Sequence, residues 1–402
     1  MSVARGVPSW VSTARDLYLV AMAMFVVNIV IGILNGADVV DFDHNQILTH
    51  VHAGTIGWLT LTIVASTFLL FGAADRALML GLAVLVPVYV ITFYTGSFPL
   101  RAVGGVALLL AIAWLLAWVW RQYLGGERSL PRLAVTLGLT SFGYGAVVGV
   151  LIQVSYAMGI TLLPGNTIGA HASAMTFGYL VLVAMGLIEW RVLGTRDQPR
   201  LGLIQVLALF LGGLIISISL LVGAEQAGGG IYLLTQLVAV VVFVVRIWPR
   251  ALRVDWVTAS PIRHMAAASI WVVFALGLFM YLVFTFITAA NPDDPDALPV
   301  NVLIASDHSA YIGIITNVVL ALLTLIVLRA EVRRSWIGQV IFWGVNLGLI
   351  VFVIGLILDT AEIKRIGAPV MGITLLIALG LLAWTALREP LETTEADLAT
   401  GS

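Results

Sequence analysis

Thr-His-Val-His-Ala-Gly-Thr-Ile-Gly (49–57), Ile-Gly-Ala-His-Ala-Ser-Ala-Met (168–175) and Ala-Ser-Asp-His-Ser-Ala-Tyr-Ile-Gly (305–313) decide how this chain is read. Each stretch follows a polar or Gly-containing connection and opens an apolar run long enough to cross a bilayer. Each carries a histidine near its start: His52, His171 and His308, with His50 two residues before the first. Ligating side chains are costly in hydrocarbon and are kept there mostly for function. Histidines at matching places in successive parts of one chain point to a bound metal or haem.

Working outward, composition sets the class. The chain has 402 residues, of which 61% are hydrophobic and 10% charged, and its mean hydropathy is +1.07. That balance excludes a soluble domain and predicts an integral membrane protein surrounded by lipid. Nothing in it suggests a nucleic-acid partner. Cysteine is absent, which excludes disulfides, iron–sulfur clusters and thiolate–metal sites. The ligands left for a borderline metal are mainly His and Met. The run from Leu17 to Leu34 is long for a signal-peptide core and lacks a small-residue cleavage site, so it reads as a first span and no cleavable signal peptide is expected.

Twelve segments have the length and apolarity of a span, at about 16–36, 49–73, 77–96, 102–121, 133–159, 168–190, 201–223, 230–248, 264–289, 308–329, 336–358 and 369–387. Helices are expected, because lipid cannot satisfy open strand edges. Of the 20 Lys and Arg residues, all but Arg101, Lys364 and Arg365 fall on one set of tails and loops. The positive-inside rule then places both termini in the cytoplasm of a multi-pass protein of the cell membrane. The opposite loops are acidic or neutral, including Asp38, Asp41, Asp43 and the stretch 291–296. Residues 388–402 read as a short, acidic, disordered tail. No segment outside the spans is long enough to fold alone, so 1–402 reads as a single transmembrane domain.

Taken four at a time, the spans form three units, about 16–121, 133–248 and 264–387. The second span of each unit opens with His52, His171 or His308. Units of this size in membrane proteins usually mean internal pseudosymmetry. The three histidines are expected at a common depth near the outer surface. Small residues beside them, such as Ala53, Gly54, Ala172, Ser309 and Ala310, let helices approach closely or leave room for a flat macrocycle.

In this arrangement the chain resembles subunit I of the haem–copper oxidases and nitric-oxide reductases. The resemblance covers the whole chain as architecture and only short stretches as motif. It implies an all-α fold of twelve helices in three pseudo-symmetric four-helix units. It also implies that His52 or His50 matches the low-spin haem ligand on helix 2. His308 matches the ligand position on helix 10, and His171 matches the helix-6 position that holds copper. Lys364 and Arg365, between spans 11 and 12, match a basic pair that holds haem propionates, and Arg101 is a further candidate for that role.

The chain departs from the pattern in three places. Span 7 contains no histidine, span 10 contains one, and His171 is followed by Ala-Ser-Ala rather than a Pro-Glu motif. A copper centre is therefore not expected. The leading expectation is a haem b held by His52 and His308. Its role would be electron transfer, or binding and reduction of nitric oxide or oxygen, with an electron donor or membrane subunit as partner. Two other readings stay open: a metal-handling or transport protein with zinc or copper at a three-histidine site, and a cofactor-free scaffold subunit.

Among other polar residues, Asp307 reads as a helix cap or as an orienter of His308. His44 reads as a loop residue, and His264 and Glu189 as interfacial. Asp359 and Glu362 read as salt-bridge partners of Lys364 and Arg365 or as a proton exit. Gln153, Tyr156, Asn317 and Asn346 read as helix–helix hydrogen-bonding residues.

Overall fold

The computed structural model describes residues 7–194, 199–258, 260–289, 298–327 and 336–388. The acidic stretch 291–296, the tail beyond Arg388 and the arginines at 5, 196, 329, 333 and 334 lie outside the described residues. Twelve described helices are long and apolar enough to cross a membrane, as the hydropathy pattern predicts. They are α1 (Ser9–Gly36), α2 (His44–Phe71), α3 (Arg76–Tyr94), α4 (Phe98–Gly125), α5 (Leu130–Met158) and α6 (Thr167–Leu193). They continue as α7 (Arg200–Val222), α8 (Glu225–Ala251), α9 (Pro261–Thr288), α10 (Val300–Val327), α11 (Trp336–Ile357) and α12 (Ala361–Arg388).

Short connections with local caps separate them. Asp43 and Gln46 form a reciprocal capping box at the start of α2. Asp75 caps α3 through the Leu78 amide at 3.0 Å, and Asn166 caps α6 through the Gly169 amide at 2.8 Å. Gly72 and Gly159 end α2 and α5 in the left-handed conformation that glycine adopts without a Cβ penalty.

Three helices form the centre. The most apolar stretches of α2, α6 and α10 are 83%, 78% and 89% buried, against 33% to 61% for the other nine. Those three touch one another, and the remaining helices surround them. In the outer ring α4 packs on α5, α8 on α9, and α12 on α1. The central helices are thus the ones that carry the histidine stretches. Lipid-facing helices can be apolar all round, whereas central helices must also carry whatever polar chemistry the bundle holds.

Each central helix is interrupted by a π-helical stretch: Ala53–Thr60 in α2, Ala174–Val181 in α6 and Ser309–Thr316 in α10. Such stretches inside α-helices frequently lie at functional sites. Hydroxyls help hold the wider turns, for Thr60 Oγ1 donates to Thr55 O at 3.0 Å and Thr316 Oγ1 to Tyr311 O at 2.8 Å. The fifth residue of every stretch is a glycine, Gly57, Gly178 or Gly313. Each is pressed against the first helix of its own group, at Met24 of α1, Ser141 of α5 or Trp271 of α9.

The histidines do not open their helices. His52 and His308 are both the ninth residue, after helical starts at His44 and Val300, and His171 is the fifth residue of α6. Eight residues carry the chain about 12 Å along the axis. Polar residues before the apolar run are helical here, which hydropathy alone does not register.

Candidate functional site

Two cavities lie among the histidine-bearing ends of the central helices, and each takes two histidines from different helices. The first cavity has a volume of about 280 Å³ and lies between α1, α2, α10, α11 and α12. His50 and His308 both line it. His50 Nδ1 lies 2.9 Å from the backbone oxygen of Asn28, and His308 Nδ1 lies 2.9 Å from that of Ile304. A carbonyl oxygen can only accept, so each Nδ1 carries the proton and each Nε2 keeps its lone pair. Asn28 is itself held, its Nδ2 donating to His50 O at 2.7 Å. Phe25, Trp58, Phe352 and Met371 supply apolar walls. Trp58 is stacked on Phe25 at 4.3 Å and donates to Thr316 Oγ1 at 2.9 Å, tying α2 to α10.

This cavity continues into a polar recess that shares Asn35, His50 and His308 and adds Asp38, Asn301, Lys364 and Arg365. Lys364 pairs with Asp359 at 3.1 Å, and Arg365 pairs with Asp38. Both cations belong to the first turn of α12 rather than to a loop.

The second cavity has a volume of about 460 Å³ and lies between α2, α3, α4, α5 and α6. His52 and His171 line it. His52 Nδ1 lies 2.8 Å from Leu48 O, and His171 Nδ1 lies 2.8 Å from Gly145 O. The tautomer argument applies unchanged. Among the described residues none hydrogen-bonds the Nε2 of any of these four rings. The His52 ring stacks on Phe93 at 3.6 Å. Arg101 lines this cavity, only 2% exposed, its Nη2 donating to Asn45 Oδ1 at 2.8 Å and Phe93 O at 2.9 Å. Gln153 lines it too, and its buried Oε1 has no hydrogen-bond partner.

The two cavities repeat one construction. Counted back from the π-segment glycines, His50 and His171 each stand seven residues before the glycine, where α10 has Ser306. His52 and His308 each stand five residues before it, where α6 has Ser173. Each cavity combines one ring from each register. The seven-register rings bond to a carbonyl on the group's first helix and lie over a glycine one turn on. A Cβ on Gly32 would come within 2.9 Å of His50 Cε1, and one on Gly149 within 2.7 Å of His171 Cε1. The five-register rings bond to the carbonyl four residues back on their own helix and meet a phenylalanine, Phe93 or Phe352. The cations coincide as well, since Lys364 is the fourth residue of α12 and Arg101 the fourth of α4.

This arrangement differs from the sequence expectations in several respects. His52 does not share a cavity with His308; His50 does. Residues two apart on a helix point to different sides, so the choice between them is a matter of helix rotation. His171 joins His52 rather than a common three-histidine centre. Among the described residues no three His, Asp or Glu side chains group closely enough to hold one metal ion, so the three-histidine metal site is not assembled.

Asp307 is not a cap, because α10 starts at Val300; it lines the first cavity beside Tyr311, whose hydroxyl lies 3.1 Å from Thr176 Oγ1. His44 is the first residue of α2 and lines the second cavity. His264 is buried, its Nδ1 2.8 Å from Asn317 Oδ1, in a network with Asn346 and Trp271 that joins α9, α10 and α11. Glu189 is no interface anchor: it forms a buried ion pair with Arg246 at 2.6 Å, supported by Gln205. Asn28, Gly32, Gly145 and Gly149 escaped the sequence reading. Their trace in the sequence is a shared four-residue spacing on the preceding helix, Asn28 to Gly32 and Gly145 to Gly149.

The chain matches no protein-family model, and a search of curated proteins finds no match to it.

Proposed function

We propose that this multi-pass membrane protein is a haem carrier that transfers electrons, with a b-type haem held in the first cavity between His50 and His308. One observation carries the reading: two rings from different helices, each with Nδ1 donating to a backbone oxygen, line one mostly apolar cavity whose mouth holds two ion-paired cations, Lys364 and Arg365. A bare zinc or copper ion would require three or four protein ligands there. A macrocycle supplies four nitrogens of its own and leaves the protein only the axial positions. The apolar walls suit its flat body, and Lys364 and Arg365 suit its propionates by charge-assisted hydrogen bonds. Without cysteine, attachment through thioether links is excluded.

When bound, the haem supplies an iron that passes single electrons between ferrous and ferric states. The residues of the chain do the rest. Asn28 O and Ile304 O hold the Nδ1 protons, which fixes the tautomer and makes each ring the better ligand. Phe25, Trp58, Phe352 and Met371 exclude water. His50 and His308 would both be taken up in holding the group, so electron transfer is favoured over binding or reduction of nitric oxide or oxygen.

The matched registers of α2, α6 and α10 support a three-fold pseudosymmetric bundle like that of oxidase subunit I. The arginine distribution supports cytoplasmic termini and an extracytoplasmic haem. Purified protein should have a Soret band and a low-spin reduced-minus-oxidised spectrum. His50→Ala and His308→Ala should each remove the same spectral component. Well-folded variants with the wild-type spectrum and haem content would overturn the assignment.

A further inference from the structure

The second cavity has the same ring geometry as the first but a different electrostatic peculiarity. Arg101 is almost wholly buried, yet no described carboxylate pairs with it. Its hydrogen-bond partners are the neutral oxygens of Thr92, Phe93 and Asn45, and its Nη1 bonds no described residue. A buried cation without a counter-charge is unfavourable. The corresponding cation of the first cavity, Lys364, has a carboxylate beside it. The guanidinium lies over the Phe93 and Phe98 rings at 4.8 and 5.2 Å, which offsets part of that cost but supplies no negative charge. Two imidazoles and one guanidinium without a carboxylate partner therefore line a single, mostly apolar cavity. The unpartnered Gln153 Oε1 adds a free acceptor.

We infer that the second cavity is a second haem site, which His52 and His171 would hold and where Arg101 would be the counter-charge for a propionate. The inference rests on reading the first cavity as a haem site. The site lies between α2 and α6, not where a resemblance to oxidase subunit I leads. There His171 would belong to copper and the partner helix would be α10. On α10 and α6 the remaining register positions are Ser306 and Ser173, which offer no ring nitrogen. The three junctions of the central helices thus provide two ligand pairs and one pair of serines. The protein so loaded carries two electrons.

The experiment is haem quantification on the full-length purified protein, by the pyridine haemochrome against protein mass, with spectra of each variant. The wild type should hold two haems per chain. His52→Ala and His171→Ala should each reduce this to one, and the spectrum that remains should match the component lost in His50→Ala. That retained component also reports that the variant is folded. In His171→Gly, added imidazole should restore the second haem, which a merely structural histidine would not allow. Arg101→Gln should lower the reduction potential of the second component and leave the first unmoved. One haem per chain, lost in His50→Ala and kept in His52→Ala and His171→Ala, overturns this inference and leaves the first site standing. Haem lost in His171→Ala but not in His50→Ala overturns the first assignment alone. Protein without haem overturns both.

Discussion

The His50 ring lies over Gly32, in space that a single methyl group would take. A Cβ at that position would stand 2.9 Å from His50 Cε1 and 3.6 Å from its Nδ1. The ring is held there by Asn28, four residues earlier on the same helix, whose backbone oxygen accepts from Nδ1 and whose side chain donates to the His50 backbone oxygen. One turn of α1 therefore sets both the direction of the ring and its room. A ligand ring displaced even slightly loses its alignment with the metal it serves, because orientation from outside the ligand set tunes the site.

Gly32→Ala should accordingly weaken the first haem without touching the second. The expected result is a fall of about 10-fold or more in haem affinity, the usual scale for a lost orienting partner. Absorption and electron paramagnetic resonance spectra would report it as a low-spin component converted to high-spin. An unchanged spectrum would mean that the ring has slack the geometry does not show. Gly149→Ala is the matching change at His171, where the approach is closer still.

Lys364 and Arg365 are partly exposed and paired with Asp359 and Asp38. Exposed pairs of this kind contribute about 0–1 kcal/mol to stability. Lys364→Gln and Arg365→Gln should leave thermal stability nearly unchanged. Each should lower the reduction potential of the first haem, because a nearby cation favours the state with one more electron. The effect should shrink as salt is added, since charges in contact with water are screened. Redox titration at two ionic strengths checks both parts.

Glu189 and Arg246 form a pair whose side chains are 3% and 0% exposed. Removing one partner of a buried pair leaves an uncompensated charge and costs about 3–5 kcal/mol. Glu189→Ala should therefore lower the midpoint of thermal unfolding sharply. Its haem spectrum, measured well below that midpoint, should remain that of the wild type, because the pair joins α6 to α8 away from both cavities. A spectral change with unaltered stability would assign Glu189 a role that its surroundings do not suggest.

The absence of cysteine makes topology testable with single substitutions. Asp38→Cys stands in the connection after α1, at the end of the bundle that carries Lys364 and Arg365. In intact cells it should react with a thiol reagent that cannot cross the membrane. Ser9→Cys, at the start of α1, should react only after the cells are opened. The reverse pattern would place the haem sites on the cytoplasmic side.

Spans and their number were legible because hydropathy is local: about 20 consecutive apolar residues declare themselves without reference to any neighbour. The histidine stretches were legible for the same reason, as rare polar groups at the margin of apolar runs. Helix starts were not, because Asp43 and Gln46 begin α2 by hydrogen bonding that hydropathy does not register. Glu189 and His264 were misplaced because each lies near the end of an apolar run, where a side chain can reach water or turn inward. Only packing brings Arg246 to the one and Asn317 to the other.

What the sequence by itself determined, then, is a twelve-span α-helical chain with histidines on three of its helices. Which histidines share a cavity was decided by tertiary structure alone. His50 and His52 are separated by about 200° around one helix, so they face different neighbours. The rotation that sends one toward His308 and the other toward His171 comes from the glycines and π turns packed against α1, α5 and α9. Those contacts join residues far apart in the chain, and no local pattern of apolar and polar residues encodes them.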